Sequence, residues 1–407
     1  MVPAVGGTRS SRAREAAIRL RSRDALARMP AVESTLEERF PTESVPDRSV
    51  RKKYANLPIC TALLALVIAP GIACAQWPER PINLVVMYAA GGGTDTVLRA
   101  LAAEMSAATG WRINVQNRPG AAGALATRYA LNRPNDGYTL LGASSFNKYA
   151  RIGGGGDSRS WTDWYYLQAA AALGSWAVRP DSPFKTFADV VAAAKSNPGQ
   201  LTISTSGAGG QWHELAAVVA QSAGIELKYV PYGSGQQATL AGLNGEVDIA
   251  GGGVHEHIQF VDTGQLISLQ QSGLTEIVTA SGKVMPTLGS VLPGVGEQLP
   301  PNGTYNLGIR RDTPHEIIRQ VEAAFSAAVR SDGFQEMVER RHFVADLMVG
   351  AAADRRAAEL ETISAATFSR LNIPGARPAA ELGLPDPEDF DQWWPPPDYQ
   401  PLPSSEF

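Results

Sequence analysis

The chain has 407 residues, enough for two domains with buried cores, so a small stapled scaffold is excluded. Hydrophobic residues make up 44% and charged residues 19%, which excludes collagen-like, coiled-coil and wholly disordered chains. The formal charge of -4 is unevenly placed: 12 basic and 7 acidic residues lie up to Ala75, leaving 24 against 33 beyond it, so the remainder carries no basic field for nucleic acid or an anionic membrane.

Residues 1–50 are rich in Arg, Glu and Ser without a sustained apolar period, and read as a disordered extension or a mis-assigned start near Val50. Residues 51–75 read as a signal peptide. Arg51, Lys52 and Lys53 form the positive region, Leu57 to Ile72 the apolar region, and Ala73-Cys74-Ala75 the small residues before cleavage at Gln76. The apolar run is shorter than the ~20 residues a membrane helix needs. Both cysteines, Cys60 and Cys74, fall in this segment, so the exported chain has no disulfide framework, thiol nucleophile or Cys metal site.

Beyond it, strands and helices alternate. Ile82 to Tyr88 is an apolar run suited to a buried parallel strand, and Thr94 to Ala108 follows with helical spacing. Strands are predicted near Arg112–Gln116, Tyr138–Gly142, Trp176–Val178, Leu201–Thr205, Leu227–Val230, Val247–Ala250, Leu266–Gln270 and Tyr305–Ile309. Helices are predicted at Ala121–Leu131, Phe187–Ser196, Gln211–Ala223 and Gln236–Asn244, with two more from His315 onward. This rhythm predicts an α/β fold of two doubly wound lobes. Residues 373–407, with 9 prolines, 7 acids and only Arg377 as a base, form a Pro-rich acidic tail that cannot bury enough apolar surface to order itself, although Trp393-Trp394 could pin it to the body.

Three strand ends carry the chemistry. Gly91-Gly92-Gly93-Thr94-Asp95 precedes a helix whose free N–H groups would face an anion, or is a Gly-rich turn capped by Thr94 or Asp95. Gly142-Ala143-Ser144-Ser145-Phe146-Asn147 and Ser204-Thr205-Ser206-Gly207-Ala208-Gly209-Gly210 end two further strands. In open α/β sheets ligands bind outside the carboxyl ends of the strands, so three hydroxyl and glycine loops there describe a neutral cradle for an anion.

The order of motifs resembles the periplasmic solute-binding receptors of tripartite tricarboxylate transporters, the Bug family, over about residues 76–370. The matching pieces are Trp77-Pro78-Glu79-Arg80-Pro81-Ile82, the Gly91 to Asp95 loop, Asn117 to Gly123, Pro134 to Leu141, the Gly-rich loop before His213, Val230 to Gly235, and Gly245-Glu246-Val247-Asp248. The resemblance implies a periplasmic binding protein type II-like fold, with crossing strands joining lobe 1 (76–177 and 302–372) to lobe 2 (178–301). It implies a monomer that closes on a small carboxylate and delivers it to the membrane subunits of a transporter, without a cofactor. Ligand contact is carried over to Gly92, Gly93, Thr94, Asp95, Ser144, Ser145, Asn147, Ser206, Gly207, Trp212, His213 and Tyr232. This chain departs from the family where Tyr232-Gly233 lacks a lysine, and where Gly251-Gly252-Gly253 replaces an acidic or amide residue facing the ligand. Trp212 with Trp161, Trp164, Tyr165 and Tyr166 fits either a bulky acid or core and hinge packing.

Enzyme readings fail at the motifs. No G-x-S-x-G occurs, His213-Glu214-Leu215-Ala216-Ala217 lacks a zincin's second histidine, and His255 and His257 lie on different helix faces. His213 is a ligand donor or a capped loop histidine. A receptor for a membrane sensor kinase needs the same ligand-driven closure as transport delivery.

Overall fold

The computed structural model describes residues 77–295 and 303–402. The extension, the signal peptide and the cleavage point lie outside the described residues. Strand β1 (Ile82–Val86) is followed by α1 (Gly93–Thr109), β2 (Ile113–Asn117), α2 (Ala124–Leu131), β3 (Thr139–Ser144) and α3 (Lys148–Ile152). Val97, Leu98, Leu101 and Met105 put one buried face of α1 on the sheet, and Gly110 ends the helix in the left-handed conformation. Then come β4 (Trp164–Ala172) and β5 (Gly174–Val178), separated only by Leu173. The chain continues through α4 (Phe187–Ser196), β6 (Thr202–Ser206), α5 (Gln211–Ser222), β7 (Lys228–Tyr232), α6 (Gly235–Asn244), β8 (Ala250–Gly253), α7 (Val254–Asp262) and β9 (Ile267–Gln271). A small hairpin, β10 (Ile277–Val278) and β11 (Val284–Met285), and the short α8 (Leu288–Val291) lead to β12 (Gly303–Arg310). The last elements are α9 (His315–Arg330), α10 (Asp332–Arg340), β13 (Val344–Met348), α11 (Gly350–Arg370) and α12 (Phe390–Trp393).

Six strands form one sheet in the order β13-β4-β12-β3-β1-β2. β1 is parallel to β2 and β3, while β12 runs antiparallel to β3 and β4. The second lobe holds the antiparallel trio β8-β5-β9 and the parallel pair β6-β7, joined by a bridge from Ile203 to Ile249. The predicted alternation is therefore present, and the two lobes are joined by a crossing strand, because β4 belongs to the first sheet and β5 to the second.

Three elements depart from the sequence expectation. β4 carries no local strand signal, since Trp-Tyr-Tyr-Leu-Gln followed by four alanines shows no alternation and alanine disfavours strands. All nine residues are buried, so pairing with β12 and β13 and packing against α11 decide it. Four helices rather than two run from His315 onward, with β13 between the second and third.

The third departure is the tail. Residues 373–402 build no core of their own, but Leu382, Leu384 and Phe390 pack with Tyr149, Ile152, Trp161 and Phe368 of the body. Trp393 meets Trp161 edge-on at 6.0 Å, as the tryptophan pair suggested. Ion pairs add to this: Arg377 reaches Asp157 at 2.7 Å and Glu381 at 2.8 Å, and Arg159 reaches Asp398 at 2.5 Å. The body therefore supplies the apolar surface that the tail lacks. Phe390→Ala should remove on the order of 3 kcal/mol of packing and loosen the tail. Endoproteinase Glu-C should then cut after the exposed Glu381 faster than in the wild-type chain, and an unchanged digestion rate would show that other contacts hold the segment.

Candidate functional site

Several strand-to-helix junctions point at one small cleft. Gly92 and Gly93 open α1, Gln211 and Trp212 open α5, Ser234 and Gly235 open α6, and Glu256 lies in the first turn of α7. Tyr88, Thr94, Ser144, Ser206, Gly303 and Tyr305 complete the lining. The glycine N-caps Gly92 and Gly210 provide no side-chain cap, so first-turn N–H groups of α1 and α5 remain for an anion.

The cleft is tightly shut. Its volume is about 20 Å³, room for about one water molecule. The Ala89 N–H donates to the Gly233 carbonyl at 3.1 Å, from one lobe to the other. A Cβ added at Gly93 would lie 2.3 Å from the Tyr305 hydroxyl and 2.4 Å from His255 Nε2, so only glycine fits there. The Tyr88 hydroxyl is buried without a hydrogen-bond partner, and burial pushes its pKa up, which keeps it a donor. Among the described residues no Lys or Arg lines the cleft, and the carboxyl that does is Glu256. Burial pushes this group up, but the His255 ring and the Gly253 N–H outweigh burial and hold it below the usual glutamate value.

Among the described residues no three His, Cys, Asp or Glu side chains gather as metal ligands. The chemistry on offer is binding: N–H and hydroxyl donors at one end, and a carboxylate at the other.

A family model described as "Tripartite tricarboxylate transporter family receptor" matches residues 97–355. The chain belongs to this family of receptors. It is 29% identical over 294 residues to the "UPF0065 protein in gbd 5'region" of Cupriavidus necator, covering 70% of this chain and 86% of that protein. The periplasmic binding protein BugD superposes with a TM-score of 0.65 at 21% identity, covering 73% of this chain and 99% of that one. MatC from Rhodopseudomonas palustris with bound malate superposes with a TM-score of 0.61 at 21% identity, over 72% and 98%. Family and neighbours are solute-binding receptors and not enzymes.

In this receptor, Gly92, Gly93, Thr94, Ser144, Ser206 and Trp212 line the cleft. The other residues singled out from sequence sit behind it. Asp95 accepts from the Gly91 N–H at 2.9 Å, Arg99 Nε at 2.8 Å and Asn117 Nδ2 at 2.8 Å, so it braces the first loop. Burial raises its pKa, but the bonds from Arg99, Gly91 and Asn117 prevail and keep it low. Ser145 donates to Gln211 Oε1 at 2.7 Å, and Asn147 donates to the Thr127 hydroxyl. His213 Nδ1 accepts from the Gly209 N–H at 2.8 Å, and its ring lies 4.5 Å from that of Tyr229, which is the capped-loop arrangement. Gly207 donates its N–H to the carbonyl of Tyr232, whose hydroxyl faces Glu246 at the surface.

Ser144 and Ser145 part because Ser145, Phe146 and Asn147 all have positive φ, at 49°, 53° and 60°. Such a left-handed run costs roughly 1–2 kcal/mol per residue. The Phe146 N–H donating to Asn306 Oδ1 at 2.9 Å and the Ser160 hydroxyl donating to the Phe146 carbonyl at 2.9 Å hold it in place.

Sequence reasoning missed Tyr88, Gln211, Ser234, Gly235, Glu256, Gly303 and Tyr305 as cleft residues. Ser234-Gly235 and Gly253 to Glu256 repeat the strand, glycine, helix grammar of the three loops that were read. Tyr305 lies mid-strand, where no local signal marks it.

Behind Glu256, His257 is wholly buried with both ring nitrogens unpartnered, and burial pushes its pKa down to about 4. Between its ordinary value near 6.5 and about 4, the unfolded chain binds a proton that the folded chain does not. Stability is therefore complete above that window and falls as the pH falls through it. Urea unfolding should show this histidine costing on the order of 2 kcal/mol between about pH 7 and pH 5, and His257→Leu should flatten that part of the slope. An unchanged slope would mean that the ring is protonated inside the fold.

Proposed function

We propose that the protein is a periplasmic receptor that closes on a small carboxylate and hands it to the membrane subunits of a tripartite tricarboxylate transporter, acting as a monomer exported through residues 51–75. The observation that carries this reading is the convergence of the uncapped N-termini of α1 and α5, the Ser144 and Ser206 hydroxyls and the partnerless Tyr88 hydroxyl in a cleft that no Lys or Arg lines among the described residues. Such donors suit a carboxylate through charge-assisted hydrogen bonds, each worth roughly 1.5–3 kcal/mol. The malate bound to the structurally similar MatC is a ligand of this class. Closure would bring 178–301 against 76–177 and 302–372, with β4 to β5 as one connecting strand.

The chain from Gln76 should be screened by thermal shift against mono-, di-, tri- and aromatic carboxylates. At least one should raise the Tm, and the same compound should reduce the radius of gyration in X-ray scattering. If no carboxylate binds, the reading fails. Titration calorimetry with the best binder should show Ser206→Ala weakening binding about tenfold or more, the loss of one charge-assisted bond. Gly93→Ala should abolish measurable binding in a folded protein, because its Cβ takes the space between α1, Tyr305 and His255. Wild-type affinity in that variant would place the ligand elsewhere.

A further inference from the structure

The cleft is chemically two-ended. One end, around Gly93, Thr94, Ser144, Ser206 and the Tyr88 hydroxyl, presents donors. The other presents the carboxylate of Glu256, which is 5% exposed and lines the same space. Glu256 Oε2 accepts from the Gly253 N–H at 2.8 Å. Oε1 lies 3.5 Å from His255 Nε2, beyond a well-made hydrogen bond. The carboxylate is pressed against the start of α6, since a Cβ on Gly235 would lie 2.0 Å from Oε1. The N-termini of α6 and α7 favour its negative charge, and among the described residues no Lys or Arg lines the cleft beside it.

Resting on the carboxylate-capture reading above, we propose that Glu256 makes the cleft selective for a zwitterion, a carboxylate whose far end is an ammonium group. The ligand carboxylate takes the donors of α1 and α5, and the ammonium donates to Glu256 Oε1. A dicarboxylate would bring a second negative charge against Glu256, with no Lys or Arg among the described lining residues to receive it. Glutamate in the third position of a helix that accepts from the N-cap N–H is also a capping arrangement. That role asks nothing of the ligand, and it survives in Glu256→Gln, whose amide oxygen still accepts while the charge is gone.

Calorimetry on the chain from Gln76 separates the two. Matched ligands are glycine against acetate and malonate, β-alanine against propionate and succinate, and 4-aminobutyrate against butyrate and glutarate. An aromatic set of 4-(aminomethyl)benzoate, benzoate and terephthalate covers a bulkier ligand. The best amino acid should bind wild type about tenfold or more tighter than its dicarboxylate counterpart, and Glu256→Gln should erase that ratio with the Tm retained. A dicarboxylate binding as tightly as its amino counterpart overturns the inference and leaves capture standing, as does an unchanged ratio in the folded variant. The wild-type ratio decides the matter if the variant does not fold. Failure of every compound here and of the wider carboxylate screen overturns capture itself.

Discussion

An α-helix begins with N–H groups that its own backbone cannot satisfy, and this receptor aims several such beginnings at one point. The arrangement needs each helix to start at the carboxyl edge of a strand, and it needs glycine or serine at the junction so that backbones approach closely. Gly92, Gly210, Ser234 and Gly253 occupy those N-cap positions. Ser234 caps α6 from within the lining by accepting from the Gln237 N–H, whereas polar side chains near the starts of α1 and α5 turn away from the cleft. Asp95 turns back to the Gly91 N–H, and His213 closes its own loop through Gly209. Glu256 caps α7 from within the lining as well, and it alone of the described lining residues brings a carboxylate into that space.

The same convergence requires the two lobes to be held to a common geometry. Part of that is covalent, through β4 and β5. Part is a polar knot behind the cleft: Tyr149 and Ser145 of the first lobe both donate to Gln211 Oε1, and buried Lys148 lies 3.6 Å from Glu214 Oε2. Gln211 and Glu214 stand on α5, which also carries Trp212 into the cleft. Burial pushes the Lys148 pKa down, and Glu214 only partly offsets it. A buried pair of this kind adds little net stability but penalises any arrangement that separates its partners, so it favours one setting of α5 against the loop after β3.

The tail works on the same lobe from outside. Its own sequence is too polar and too rich in proline to fold, yet it covers Trp161, Tyr149 and Phe368. Arg151 joins this layer to the interior through Glu361 at 2.6 Å and the Leu382 carbonyl at 2.5 Å. α3, α11 and the tail are thereby bound into one packed layer behind the loop of Ser145 to Asn147.

The sequence by itself determined the alternation of strands and helices and the positions of the glycine loops. Periodicity and turn residues are local properties, and Ile82–Val86, α1 and the Ser206 to Gly210 loop carry them plainly. It did not determine which loop side chains face the cleft, because Ser144 and Ser145, or Trp212 and His213, are adjacent in sequence and opposite in space. That choice depends on a left-handed turn held by Asn306, 160 residues away, and on a histidine that finds a closer partner in its own loop. Nor did it determine β4, whose alanines form a strand because β12 and β13 flank it, or the ordered tail, whose apolar partner is the body. Tertiary structure also decided the placement of Glu256: a glutamate after three glycines reads as a helix cap, and only the approach of α6, Tyr305 and His255 encloses it in the cleft.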